Sequence, residues 1–188
     1  TADVGTHLTT DSERHRASLG SVLTANLVRL QQSLRSLEEV GKRLDARLAA
    51  EFEQLRYRSY TLQRAIEITR SSRQRLAGAR LYVLVDGRSS VDEFQRLAES
   101  LIQAGVDVLQ LRDKRLDDRS LMERARQLRQ ATAGTQTLFI MNDRPDLAAL
   151  ARADGVHVGQ EELSVKDARS IVGPEALIGV STHTIEQA

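Results

Sequence analysis

Cysteine is absent from the 188 residues, which excludes a disulfide framework and any thiolate metal site and leaves a reducing compartment compatible with the chain. Proline occurs only twice, at Pro145 and Pro174, and residues 12–77 contain only Gly20 and Gly41 as breakers. That stretch can therefore be helical throughout. No apolar run is long enough to span a bilayer, and the polar start at residues 1–11 lacks the basic and apolar blocks of a signal peptide. Charge of one sign is missing too: 27 basic against 26 acidic side chains leave +1, which gives no polyelectrolyte surface to mark a nucleic-acid partner. These absences lead to the expectation of a soluble, cytoplasmic protein with neither nucleic-acid nor membrane partners. The chain opens on Thr1 and stops at Ala188 inside what reads as a helix, so a fragment or processed product is expected.

What is present falls into two regimes. Leu23, Leu27, Leu30, Leu34, Leu37, Leu44, Leu48, Leu55, Leu62 and Ile66 follow alternating steps of four and three residues, with Gly41 and Ser59 filling two missing places. Thr10 and Glu13 have capping-box spacing ahead of this stripe. A single rod over residues 13–75 would be roughly 95 Å long and leave the stripe bare. A hairpin with its turn within residues 44–51 is the predicted solution. Residues 70–80 are polar, contain Gly78, and read as a linker.

After the linker, short β-rich runs at 81–86, 106–111, 137–141, 155–158 and 177–180 alternate with amphipathic segments such as 91–104 and 119–131. This rhythm predicts five parallel strands with right-handed crossovers. The predicted organisation is a disordered tail at 1–11, a helical hairpin domain at 12–77, and an α/β domain at 78–188. Each predicted strand ends in polar residues, and in parallel α/β folds chemistry collects at that end.

Gln110, Arg112 and Lys114 leave the second strand with two cations suited to gripping a diphosphate, one as a fork and one as a point charge. Taken alone, they also fit a solvated basic turn. Asn142 and Asp143 end the third strand, and Gln160, Glu161 and Glu162 follow the fourth. Carboxylates from adjacent strand ends can hold one Mg²⁺ whose remaining shell is water and substrate phosphate. Asp143 could instead cap the helix containing Pro145, and Glu162 could be a solvated loop acid. Together, the cations and carboxylates make a Mg²⁺-diphosphate site the simpler account.

The ordered segments VLQLRDK, FIMNDRPDLA, ADGVHVGQEEL and LIGVSTHT resemble the thiamine-phosphate synthase family from about Leu81 onward. The resemblance implies a TIM-type (β/α) barrel and a transferase that joins hydroxymethylpyrimidine diphosphate to thiazole phosphate, releasing pyrophosphate. It implies that Gln110, Leu111, Arg112, Asp113, Lys114, Asn142 and Ser181 contact the pyrimidine diphosphate. Arg112 and Lys114 would do the catalytic work on the leaving group, and Asp143 and Glu162 would ligate Mg²⁺. Glu162 stands where the family usually has Asp. His157 is read as a hydrogen-bonded strand residue, and His183 as a loop-shaping one. A related thiazole tautomerase would lack this full diphosphate and metal set. Five strands cannot close an eight-stranded barrel, and the family's later Thr-x-Thr-Lys loop has no counterpart, so the chain alone is expected to be inactive.

Thr24 to Arg29, Leu34-Arg35, Glu38-Glu39 and Leu55-Arg56-Tyr57 loosely resemble a helical domain fused ahead of some of these synthases and associated with phosphorylating hydroxymethylpyrimidine phosphate. Thr24, Val28, Gln32 and Ser33 depart from its pattern. Residues 12–77 carry 13 basic and 7 acidic side chains, which suits phosphorylated ligands or a solvated face equally. Two alternatives stay open beside the synthase: a bifunctional enzyme with this kinase module, and a non-catalytic ligand-binding or oligomerising protein. Association into homo-oligomers is expected either way, because the leucine stripe and the edge strands need cover.

Overall fold

The structure, a computed structural model, describes residues 18–187. The predicted tail and the Thr10–Glu13 capping box lie outside the described residues. The chain divides into two compact units, Thr1–Thr69 and Arg70–Ala188.

In the first unit, helix α1 (Leu19–Leu44) starts on Ser18. The Ser18 hydroxyl accepts from the Ser21 N–H at 3.2 Å, and the Ser21 hydroxyl accepts from the Ser18 N–H at 3.2 Å. Two N–H groups that a helix start leaves orphaned are thereby satisfied. Asp45 ends α1 in an extended conformation. Its carboxylate then accepts from the Arg47 N–H at 2.8 Å, which opens helix α2 (Ala46–Leu76). The chain turns at one residue because Asp caps the second helix with its own side chain. α1 and α2 run antiparallel, with Gln31 donating to Gln63 at 2.7 Å and Arg56 pairing with Glu38 at 2.9 Å. The leucine stripe is split by this packing. Leu27 and Leu34 are buried, whereas Leu23, Leu30, Leu37 and Leu44, seven residues apart, stay exposed. α2 also continues through residues 70–76, part of the linker expected from sequence, because nothing there breaks a helix before Gly78.

The second unit holds a five-stranded sheet of order β1-β2-β3-β4-β5, every pair parallel. The strands are β1 (Tyr82–Val85), β2 (Val108–Leu111), β3 (Leu138–Asn142), β4 (Gly155–Val158) and β5 (Leu177–Val180). Between them lie α3 (Val91–Gln103), α4 (Asp118–Thr132), α5 (Pro145–Ala151) and α6 (Val165–Val172), and a short 3₁₀ turn, Ile185–Gln187, follows β5. Strands in sequence order with uniform crossovers put every helix on one face of the sheet. The core confirms this arrangement: Val85, Leu109, Leu111, Phe139, Met141, Val156 and Val158 from the strands pack with Phe94, Ala98, Ala125, Leu128, Ala148 and Ala168 from the helices in one cluster. The alternate strand residues point the other way, where only Val108, Ile140 and Leu177 form a small buried group.

β1 and β2 are each shorter than predicted from sequence. Asp107 precedes β2 instead of joining it, because its carboxylate accepts the Arg80 and Leu81 N–H groups at 2.8 and 2.9 Å and so fastens the start of β1. These bonds hold its carboxyl below the ordinary range. Asp154, ahead of β4, does similar work for β3, accepting from the Phe139 N–H at 3.0 Å and from Arg129 at 3.2 Å. Both acids sit at the N-terminal end of the sheet, where such contacts stabilise the fold and leave the opposite end free for chemistry.

Candidate active site

The C-terminal ends of the strands surround a cavity of about 230 Å³. Leu84, Gln110, Asn142, His157, Gly159 and Ser181 line it from the helix-free face, and Arg112, Lys114, Asp143 and Glu162 line it from the loops after β2, β3 and β4. Period-two alternation explains the first group. Leu84, Gln110, Asn142, His157 and Gly159 each adjoin a core residue, so burying the core turns them toward one space.

The loop after β2 is anchored by Asp113. Its side chain is 1% exposed and accepts from the N–H groups of Gly87 (3.0 Å), Arg115 (2.7 Å) and Leu116 (3.2 Å) while pairing with the Arg115 guanidinium. Burial pushes this carboxyl up, but the Arg115 side chain and the three N–H groups outweigh burial and hold its pKa at about 2, against the ordinary 3.8. The anchored turn presents Arg112 and Lys114 on its outer side. Gln110 is buried and donates from Nε2 to the Tyr82 hydroxyl at 2.8 Å.

After β3, Asp143 takes a left-handed conformation with φ 60°, which Asp tolerates better than most residues. Its N–H donates to the His157 carbonyl at 2.7 Å, and its carboxylate lies 3.9 Å from Lys114 Nζ. It does not cap the helix containing Pro145. The capping position of α5 is Arg144, whose guanidinium binds Asp118 and Asp146 instead. After β4, the Glu162 carboxylate lies over Gly159, where a Cβ would come within 2.3 Å of Oε2. Neither acid is spent on a cap or left in bulk solvent.

Of the nine residues expected at the site, seven line one cavity: Gln110, Arg112, Lys114, Asn142, Asp143, Glu162 and Ser181. The side chains of Leu111 and Asp113 are not among them. Leu111 is 1% exposed in the helix-side core, where alternation puts it, and the Asp113 carboxylate is turned into its own loop. Leu84 carries no mark in the sequence, Gly159 reads there only as part of a polar strand end, and His157 reads as a hydrogen-bonded structural residue. The register pairing Leu84 with Gln110 is a tertiary fact, whereas the alternation from Gly155 through His157 to Gly159 was available as a signal. In the first unit, Asn26, Arg29 and Arg35 are exposed while Glu38 is buried against Arg56 and Lys42.

Among the described residues no group of three or more His, Cys, Asp or Glu could enclose a metal. Two carboxylates and the Asn142 amide facing one cavity suit a cation that keeps much of its water, as Mg²⁺ does.

The fold and site thus define a parallel α/β protein that gathers two cations and two carboxylates at successive strand ends. Residues 81–188 match the thiamine monophosphate synthase family, and the chain belongs to that family. Residues 1–65 match the ThiD2 family. The thiamine-phosphate synthase of Rhodopirellula baltica is 47% identical over 189 residues, covering 98% of this chain and 50% of that protein. That of Gloeobacter violaceus is 41% identical over 186 residues, covering 99% of this chain and 53% of that protein. The chain spans about half the length of the curated relatives it matches. Among solved structures, thiamine phosphate pyrophosphorylase from Pyrococcus furiosus is 33% identical with a TM-score of 0.50, over 57% of this chain and 52% of that one.

Proposed function

We propose that the full-length protein is a thiamine-phosphate synthase, which couples hydroxymethylpyrimidine diphosphate to thiazole phosphate and releases pyrophosphate. One observation carries the reading: Arg112, Lys114, Asp143 and Glu162, from three separate strand ends, line the same cavity. Arg112 and Lys114 bind the diphosphate and stabilise the charge that grows on it as the carbon–oxygen bond breaks. Gln110, held by Tyr82, and Asn142 orient the pyrimidine, and Ser181 reaches the diphosphate. Leu111 contributes through its main chain, and Asp113 fixes the turn with its carboxylate. Asp143 and Glu162 would hold Mg²⁺, which would supply further neutralisation of the diphosphate. No side-chain nucleophile is required, because the thiazole nitrogen attacks the pyrimidine methylene as pyrophosphate departs.

The five strands form part of an eight-stranded (β/α) barrel. In support of this, all the described helices of the sheet lie on one face, the strand order never reverses, and the other face leaves Tyr82 and Leu84 45% and 57% exposed. In this reading a helical hairpin domain at 12–77 precedes the barrel at 78–188, in a cytoplasmic homo-oligomer. The match of residues 1–65 to the ThiD2 family favours the bifunctional alternative, in which the helices phosphorylate hydroxymethylpyrimidine phosphate.

Purified full-length protein supplied with both substrates and Mg²⁺ should form thiamine phosphate and stoichiometric pyrophosphate. No product at any Mg²⁺ concentration defeats the synthase reading. Phosphorylation of hydroxymethylpyrimidine phosphate with ATP tests the second activity separately.

A further inference from the structure

Ser181 is fixed by β4 and the loop after it through every polar atom it has. Its N–H donates to the Val158 carbonyl at 3.1 Å, its carbonyl accepts from Gln160 Nε2, and its hydroxyl oxygen lies 2.9 Å from His157 Nε2. The His157 ring reaches that hydroxyl with its Nδ1 edge against Gly179 on the neighbouring strand, its register partner. A Cβ at 179 would stand 2.5 Å from His157 Nδ1, so a side chain there would displace the ring. A glycine that admits an imidazole, and an imidazole aimed at a serine at the cavity wall, form a chain of contacts that the core does not need.

We propose that His157 is a positioning residue that turns Ser181 into a hydrogen-bond donor toward the anion in the cavity. A serine hydroxyl has one proton and can serve either neighbour. With the imidazole proton on Nε2, His157 donates to Ser181 Oγ, and the serine proton is left to point at a phosphoryl oxygen. With the proton on Nδ1, the serine proton is spent on His157, and lone pairs face the anion. Nδ1 has no hydrogen-bond partner among the described residues, and an orphaned donor is harder to accommodate than an under-used acceptor. The Nε2 tautomer follows. The loss of one hydrogen bond to a charged oxygen corresponds to roughly tenfold to hundredfold weaker binding.

This inference rests on the synthase reading. It is tested on full-length protein by calorimetric binding of inorganic pyrophosphate with Mg²⁺, alongside turnover of both substrates. His157→Phe keeps a ring over Gly179 but has no donor, and it should weaken pyrophosphate binding roughly tenfold or more. His157→Gln, which can place an N–H near Nε2, should recover most of that loss. Ser181→Ala should weaken binding to the same degree, and adding His157→Phe to it should cost nothing more, because the first change removes the hydroxyl through which the second acts. Losses that multiply in the double variant, full pyrophosphate affinity in His157→Phe, or no effect of Ser181→Ala in a protein that still makes thiamine phosphate would each overturn the inference while leaving the synthase reading intact. A wild-type protein that neither binds pyrophosphate nor forms product would remove both.

Discussion

Arg112 and Lys114 reach the cavity from a turn that Asp113 holds still, so neighbouring residues in one segment do separable jobs. Arg112→Ala should cost turnover roughly 10² to 10³-fold, the scale seen when one preorganised donor to developing negative charge is lost, with the fold intact by circular dichroism. A variant as fast as wild type would deny Arg112 its role. Asp113→Asn should act on stability instead. Because the folded pKa is depressed to about 2, this carboxylate contributes stability that is full above about pH 4 and is lost as pH falls through about 2. A shift from 3.8 to about 2 corresponds to at most ~2.5 kcal/mol. Urea unfolding at pH 4 and pH 2 should show the wild type losing more stability between the two than Asp113→Asn. Glu162 is one methylene longer than the family's usual Asp, so Glu162→Asp should lower the Mg²⁺ concentration needed for half-maximal activity and Glu162→Gln should raise it. If neither moves it, Glu162 is not a ligand.

At the scale of elements, β4 is the strand on which the site depends most. It carries His157, its end leads through Gly159 to Glu162, and its register brings Gly155 opposite Leu177 and Ile140. An added Cβ at 155 would meet the Leu177 carbonyl at 2.4 Å and Ile140 at 2.9 Å. Gly155→Ala should therefore destabilise the sheet by about 1–3 kcal/mol, the usual cost of overpacking, read as a lower urea midpoint at unchanged slope. β4 and β5 have the bounds the sequence implied, because apolar alternation and polar flanks coincide there. β1 and β2 do not, because the residues that end them, Asp107 above all, act through side-chain bonds to a distant backbone that no local pattern displays.

For the molecule as a whole, the sheet has helices on one face, small buried contacts on the other, and two edges, β1 and β5, each paired on one side only. β2 is paired on both sides along its whole length. Amide hydrogen exchange should therefore be slowest in β2 and faster in β1 and β5 for this chain alone. In the full-length protein a closed barrel would add partners to both edges and slow β1 and β5 toward β2. Unchanged edge protection there would contradict closure. In the helical unit, exposed Leu23, Leu30, Leu37 and Leu44 leave the homo-oligomer reading open to light scattering on the full-length protein.

By itself the sequence determined the alternation of strands and helices, the parallel class and seven of the residues that line the cavity, because those depend on residue order, periodicity and polar strand ends, all local properties of the chain. The tertiary structure alone decided which carboxylates face the cavity and which are consumed by the backbone, so that Asp143 and Glu162 look in while Asp113 looks away. It also decided that only Leu27 and Leu34 of the leucine stripe are buried, and that His157 meets Ser181 across Gly179. These outcomes depend on register and on close approach between strands and helices far apart in the chain, and no pattern within a single segment encodes such distances.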